Sequence, residues 1–241
     1  MKSKPFKFKE FTVEQDKVAM KIGTDGVLLG AWCTTDKYPD TVLDIGAGSG
    51  VVALMIAQRS DAMTIDAVEV DENAYEQAVE NFENSYWGDR LYCYNCTFQE
   101  FADEIEAEEE RYDLIVSNPP FYTDAFESED EARNKARFTS ALSFEDLLVG
   151  VSKILSKNGV FSTIIPFKEE ENFINIAKEQ HLFLNRICRV QGNKTSEVKR
   201  SLLSFSFQEM EIQETLLIIE ISRHQYTEDY IKLTKDFYLK M

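Results

Sequence analysis

Leu43-Asp44-Ile45-Gly46-Ala47-Gly48-Ser49-Gly50 is the stretch on which the fold turns. The apolar run 41–45 predicts a short strand, and 51–59 repeats apolar residues at helical spacing. The three glycines therefore stand at a strand-to-helix turn, where they free the backbone to bend sharply and to approach a ligand. Downstream, strands are expected at 64–70, 91–95, 113–117, 160–165, 186–190 and 202–207, with helices at 73–84, 144–155 and 168–180. Seven strands alternating with helices predict an α/β fold with right-handed crossovers and a parallel sheet. One more strand, 216–221, and an amphipathic helix over 228–239 with Tyr230, Leu233 and Phe237 on one face follow. Upstream, Phe6, Phe8 and Phe11 among lysines suggest an extended, partly buried segment, and Val27, Leu28, Leu29 and Trp32 a short helix.

The chain has 241 residues, 44% of them hydrophobic, enough for one sizeable core. One domain is expected over 1–241, with 1–40 as an N-terminal extension and 41–241 as the core. Cys33, Cys93, Cys96 and Cys188 have no framework spacing, and no apolar run is long enough to span a bilayer. A soluble, cytoplasmic, reduced protein is expected, binding no membrane and holding no metal. Cys93 and Cys96 lack the second pair that zinc requires and read as packing residues. The formal charge of −17 opposes binding to a polyanion. Much of that acidity lies in the runs 103–110, 127–131 and 169–171, read as solvated loops or helix starts.

The glycine loop lacks a P-loop lysine, and its single-residue glycine spacing departs from the dinucleotide fingerprint, so neither ATP nor NAD is favoured. Asp44, just before the turn, can accept a hydrogen bond from the amino-acid end of S-adenosylmethionine, directly or through water, with Gly46, Gly48 and Gly50 lining the same pocket. Glu69 lies about twenty residues beyond the glycines at a strand end, where an acid accepts both ribose hydroxyls. Asp71 reads as the start of the next helix.

Asn118-Pro119-Pro120-Phe121 follows the fourth strand, at the edge where open α/β sheets place their chemistry. An exocyclic adenine amine is a poor nucleophile, because its lone pair is delocalised into the ring. Asn118 Oδ1 and the Pro119 carbonyl can accept its two hydrogens, while Phe121 or Tyr122 stacks on an extruded base, and Asn118 is expected to touch the cofactor as well. Such a site works by positioning and in-line transfer, without metal or covalent nucleophile. His181 and His224 read as non-catalytic.

These motifs resemble class I S-adenosylmethionine-dependent methyltransferases that act on amino groups. More narrowly, Phe11-Thr12-Val13, the stretch Lys21-Ile22-Gly23-Thr24-Asp25-Gly26-Val27-Leu28-Leu29-Gly30-Ala31-Trp32, the glycine loop, Ser117-Asn118-Pro119-Pro120-Phe121-Tyr122, Ala136-Arg137-Phe138-Thr139 and the ending Phe237-Tyr238-Leu239-Lys240-Met241 resemble the bacterial valine-tRNA adenine-N6 methyltransferase family. The resemblance implies a Rossmann-like, seven-stranded, mostly parallel sheet with an antiparallel seventh strand and helices on both faces. It implies methylation at N6 of the adenine just 3′ of the anticodon, and a segment 21–26 that closes over the cofactor with Thr24 and Gly26 in contact. Phe121 stands where many relatives have Tyr, which keeps the stacking face.

An acidic enzyme needs a local basic rim for tRNA. If the sixth and seventh strands run antiparallel, their hairpin brings Lys194, Lys199 and Arg200 to the mouth. Arg133, Lys135 and Arg137, with Lys2, Lys4, Lys7 and Lys9, complete three expected clusters. A monomer is expected. The alternatives are a protein glutamine N5-methyltransferase, which usually carries an extra N-terminal domain, and a non-catalytic RNA-binding protein, in which Asp44, Glu69 and Asn118 would be expected to decay.

Overall fold

A computed structural model describes residues 4–119 and 142–241. The sheet begins with β3 (Thr41–Ile45), β4 (Thr64–Val68), β5 (Leu91–Tyr94) and β6 (Tyr112–Ser117), and continues with β7 (Leu155–Pro166), β8 (Phe183–Asn193), β9 (Val198–Ser206), β10 (Gln213–Ser222) and the two-residue β11 (Gln225–Tyr226). Its spatial order is β11-β10-β8-β9-β7-β6-β3-β4-β5. Strand β9, the seventh of the expected set, pairs antiparallel with both β7 and β8, while β3 to β7 are mutually parallel where they pair. The expected extra strand is β10, parallel to β8.

Side-chain alternation along each strand feeds two apolar clusters. On one face Val42, Leu114 and Val116 pack with α1 (Thr24–Trp32) and α2 (Val51–Arg59). On the other, Leu43, Ile45, Ile115 and Phe161 pack with α4 (Phe98–Ala107), α5 (Phe144–Ile154) and α6 (Glu170–Glu179). Between them in sequence, α3 (Glu72–Glu83) follows β4 and buries Ala74, Ala78 and Phe82. Asp44 shares the parity of Val42, which puts it on the face covered by α2.

Two expectations need correction. The acidic run 103–110 is chiefly the end of α4, whose start was not expected. A capping box between Thr97 and Glu100 and the buried stripe Phe98, Phe101, Ala102 and Ile105 make it a helix, with the acids on the solvent side. The C-terminal helix, α7, covers only Glu228–Thr234, and the chain beyond it pairs with the N-terminal segment, where Phe237 O accepts from Lys9 N at 2.8 Å and Tyr238 bridges Phe8. The N-terminal segment is extended and partly buried as expected, as a small hairpin of β1 (Phe6–Lys7) and β2 (Thr12–Val13), whose flanking Phe8 and Phe11 stack at 4.6 Å.

Candidate active site

Asp44 is 1% exposed beneath the start of α2. Gly50 caps that helix without a side chain, and Asp44 Oδ2 instead accepts from Ala53 N at 3.1 Å. The buried charge thus sits at the positive end of the helix. Burial pushes its pKa up to about 7; the Ala53 amide opposes the rise and the charge of Glu69 adds to it.

Gly46, Gly48 and Gly50 all have positive φ, at 73°, 56° and 78°. A Cβ at Gly46 or Gly48 would meet nothing within 4 Å, so these two line open space, whereas one at Gly50 would stand 2.4 Å from Phe82 Cε1. The loop is therefore a cradle on one side and a packing contact on the other.

Glu69 follows β4 and bridges two backbone amides. Its Oε2 accepts from Gly48 N at 2.8 Å and its Oε1 from Asp71 N at 2.9 Å. Asn95 Nδ2 donates to Glu69 O at 2.8 Å, fixing that turn from β5. Asp71 is the N-cap of α3, accepting from Ala74 N at 2.9 Å.

Asn118 and Pro119 directly follow β6, partly buried and buried respectively. Ser117 Oγ donates to Ile45 O at 3.0 Å, locking the ends of β6 and β3 together. Phe121 and Tyr122, together with Arg133, Lys135 and Arg137, lie outside the described residues. Thr24 opens α1, and a Cβ on Gly26 would stand 3.4 Å from Val51 and 3.8 Å from the Asn118 side-chain amide. The first turn of α1 thus touches both the start of α2 and the end of β6.

Asn81, which the sequence reading passed over, ties the glycine loop to the N-terminal extension. Only 2% exposed, it donates to Ser49 O at 2.8 Å and Glu14 O at 2.9 Å and accepts from Glu14 N at 2.8 Å. One turn earlier Gln77, fully buried, accepts from the amides of Asp16 and Lys17. A signal existed: two amides recur four apart within the apolar stripe of α3, where buried polar groups need partners.

Lys194 and Lys199 are exposed on the β8–β9 hairpin, at the same sheet edge, since Arg200 pairs in register with Pro166 at the end of β7. Arg200 is engaged: its Nε donates to Asp25 Oδ2 at 2.7 Å. Of the N-terminal lysines, Lys9 does not share one mouth with the hairpin. Lys9 binds the carbonyls of Lys235 and Phe237, beside an Asp236 carbonyl held by Gln58 near the far end of α2, at the opposite edge. Lys2 lies outside the described residues.

Cys93 and Cys96 pack against different clusters, on opposite faces of the sheet. Among the described residues no group of His, Cys, Asp and Glu could hold a metal, and no helix is long and apolar enough to cross a membrane. His181 and His224 occupy exposed turns with positive φ. Cavities of about 230 and 360 Å³ lie respectively at the amino ends of β6 and β7 and between α3 and β5, with none of Asp44, Glu69 and Asn118 in their walls.

Residues 25–141 match the family described as "Methyltransferase small domain". A tRNA1(Val) (adenine(37)-N6)-methyltransferase of Christiangramia forsetii is 56% identical over 241 residues, covering all of both chains. A protein of the same name from Flavobacterium johnsoniae is 56% identical over 237 residues, covering 98% of this chain and 100% of its own. The solved structure of a predicted O-methyltransferase of Agrobacterium tumefaciens superposes with a TM-score of 0.67 at 18% identity, over 88% of this chain and 96% of its own. That likeness shows the fold, the Rossmann-like fold of class I methyltransferases.

Proposed function

We propose that this chain, which belongs to the tRNA1(Val) (adenine(37)-N6)-methyltransferase family, transfers a methyl group from S-adenosylmethionine to N6 of adenine 37 in a valine tRNA. The observation that carries the reading is the meeting of three parts at one sheet edge: the open glycine cradle, the Asp44 and Glu69 carboxylates, and Asn118 against the first turn of α1. An amino acid joined to a nucleoside fits that set. Asp44 takes the ammonium, the Gly46 and Gly48 backbone leaves room for close approach, and Glu69 exchanges its two amide partners for ribose hydroxyls.

When bound, the cofactor supplies a methyl carbon on a positively charged sulfur. The protein supplies position. Asn118 Oδ1 and the Pro119 carbonyl accept the two N6 hydrogens, which turns the nitrogen lone pair towards the methyl group and out of conjugation with the ring. Phe121 and Tyr122 are read as the stacking platform for the extruded base. Thr24 and Gly26 close the cofactor side, with residues 1–40 as the cover of a single domain. Lys194, Lys199 and Arg200, with Arg133, Lys135 and Arg137, are read as the rim that meets tRNA phosphates. The protein is read as a cytoplasmic monomer.

The test is incubation with radiolabelled S-adenosylmethionine and total tRNA from a strain lacking its own copy of the gene, followed by digestion to nucleosides. Label in N6-methyladenosine is expected. No label in tRNA, despite measurable binding of S-adenosylmethionine, would overturn the reading.

A further inference from the structure

The first turn of α1 must be held still to serve as a wall of the site, yet its own ends do little to hold it. Gly23, the N-cap, makes no side-chain hydrogen bond. From behind, Val27, Leu28 and Leu29 are buried in the core. Just before the helix, Ile22 N donates to Gln15 Oε1 at 3.1 Å; on the helix itself, a tether among the described residues is Asp25, whose Oδ2 accepts from Arg200 Nε across 175 residues of sequence, with both side chains about two-thirds buried.

Arg200 is a firm anchor because the hairpin beneath it is pinned. The next residue, Ser201, donates its hydroxyl to Glu170 Oε2, and Glu170, 9% exposed at the start of α6, receives Arg189 from β8 through Nε at 3.1 Å and Nη2 at 2.7 Å. Arg189 also reaches Glu214 on β10. The chain of contacts runs from α6 through the hairpin to Asp25, and from there to Gly26 beside Asn118 and the start of α2. Charge-assisted contacts of this kind fix geometry as well as adding energy.

We propose that Asp25 is a positioning residue for the methyl-donor site: through Arg200 it clamps the first turn of α1 over the site, so that the hairpin facing the tRNA sets the affinity for the cofactor. The inference rests on the proposed function for the identity of the ligand. It gives Arg200 a role that the expected phosphate contact does not include. It also makes the two ligands interdependent, since a phosphate that drew Arg200 away from Asp25 would loosen the cofactor wall.

The test is a double-mutant cycle on the full chain, with S-adenosylmethionine affinity measured by calorimetry in the absence of tRNA and steady-state kinetics measured with it. Asp25→Asn and Arg200→Gln should each weaken cofactor binding about fivefold, and the double variant should be no weaker than either alone, because the pair acts as one unit. The kinetic change should fall on KM for the methyl donor more than on kcat. Unchanged cofactor affinity in Asp25→Asn, with weaker tRNA binding in Arg200→Gln, would overturn the clamp and leave Arg200 as a phosphate contact. Multiplying effects in the double variant would also overturn it. If the unaltered protein failed to bind S-adenosylmethionine, the site reading itself would fall, an outcome separable from either.

Discussion

The two halves of the functional edge are built from different materials. The half formed by β3 and β4 is backbone: short parallel strands, three glycines with positive φ, and carboxylates whose partners are main-chain amides. The half formed by β7, β9 and β8 is side chain: long antiparallel strands pinned by Glu170, Arg189 and Arg200. Backbone cradles suit a small ligand that is the same at every turnover. A rim of long cations suits a large polyanion, and here it must act against a net charge of −17. Asn118 stands at the seam, at the end of β6, with β3 on one side and β7 on the other.

The seam should be the most sensitive point. Asn118→Ala is expected to lower kcat/KM for tRNA by about 10³-fold, on the scale of losing one preorganised hydrogen-bonding group, while calorimetry shows cofactor affinity within about threefold of the original. Within the backbone half, Gly50→Ala should cost roughly 2–4 kcal/mol in chemical denaturation, because the new Cβ combines a left-handed φ with overlap against Phe82. Gly48→Ala, facing open space, should unfold closer to the original midpoint and show its defect in cofactor binding instead.

Asn81→Ala probes how the backbone half is fastened to the N-terminal cover. It strands Ser49 O and both backbone groups of Glu14 and should destabilise by about 2 kcal/mol. Limited proteolysis should then cut first within the first 23 residues.

Asp44 supplies a pH signature. The unfolded chain releases this proton near the usual value of 3.8 and the folded chain only near about 7. Between those pH values the folded state binds more protons, so the contribution of this group to stability is greatest at low pH and falls as pH rises towards 7. Cofactor affinity should move the other way, improving by up to about tenfold per unit below pH 7 as the carboxylate ionises, then levelling off. Asp44→Asn should flatten both profiles. The smallest effect belongs to the rim: Lys194→Ala with Lys199→Ala should weaken tRNA binding several-fold and reduce the slope against log salt by about 1.5 to 2.

The same contrast explains what was legible in the sequence. The strand-glycine-helix turn, Glu69 at the next strand end and Asn118 at the fourth are local patterns, since each depends on a few neighbouring residues and on strand order. Asp71 as N-cap was equally readable. The α4 helix was hidden because its acids drew attention away from the Phe98, Phe101, Ala102 and Ile105 stripe. Asn81 with Glu14, and Asp25 with Arg200, are pairings across 67 and 175 residues, and nothing local announces such a partner. Lys9 illustrates the converse, since its charge suggested the mouth while the chain path carried it to the opposite edge.

The most direct test of the central claim is methyl transfer to two transcripts of a valine tRNA, one unaltered and one with guanine in place of adenine 37. The account predicts close to one methyl group per unaltered transcript, recovered as N6-methyladenosine, and none on the altered one. Equal methylation of both, or of neither in the presence of bound cofactor, would contradict it.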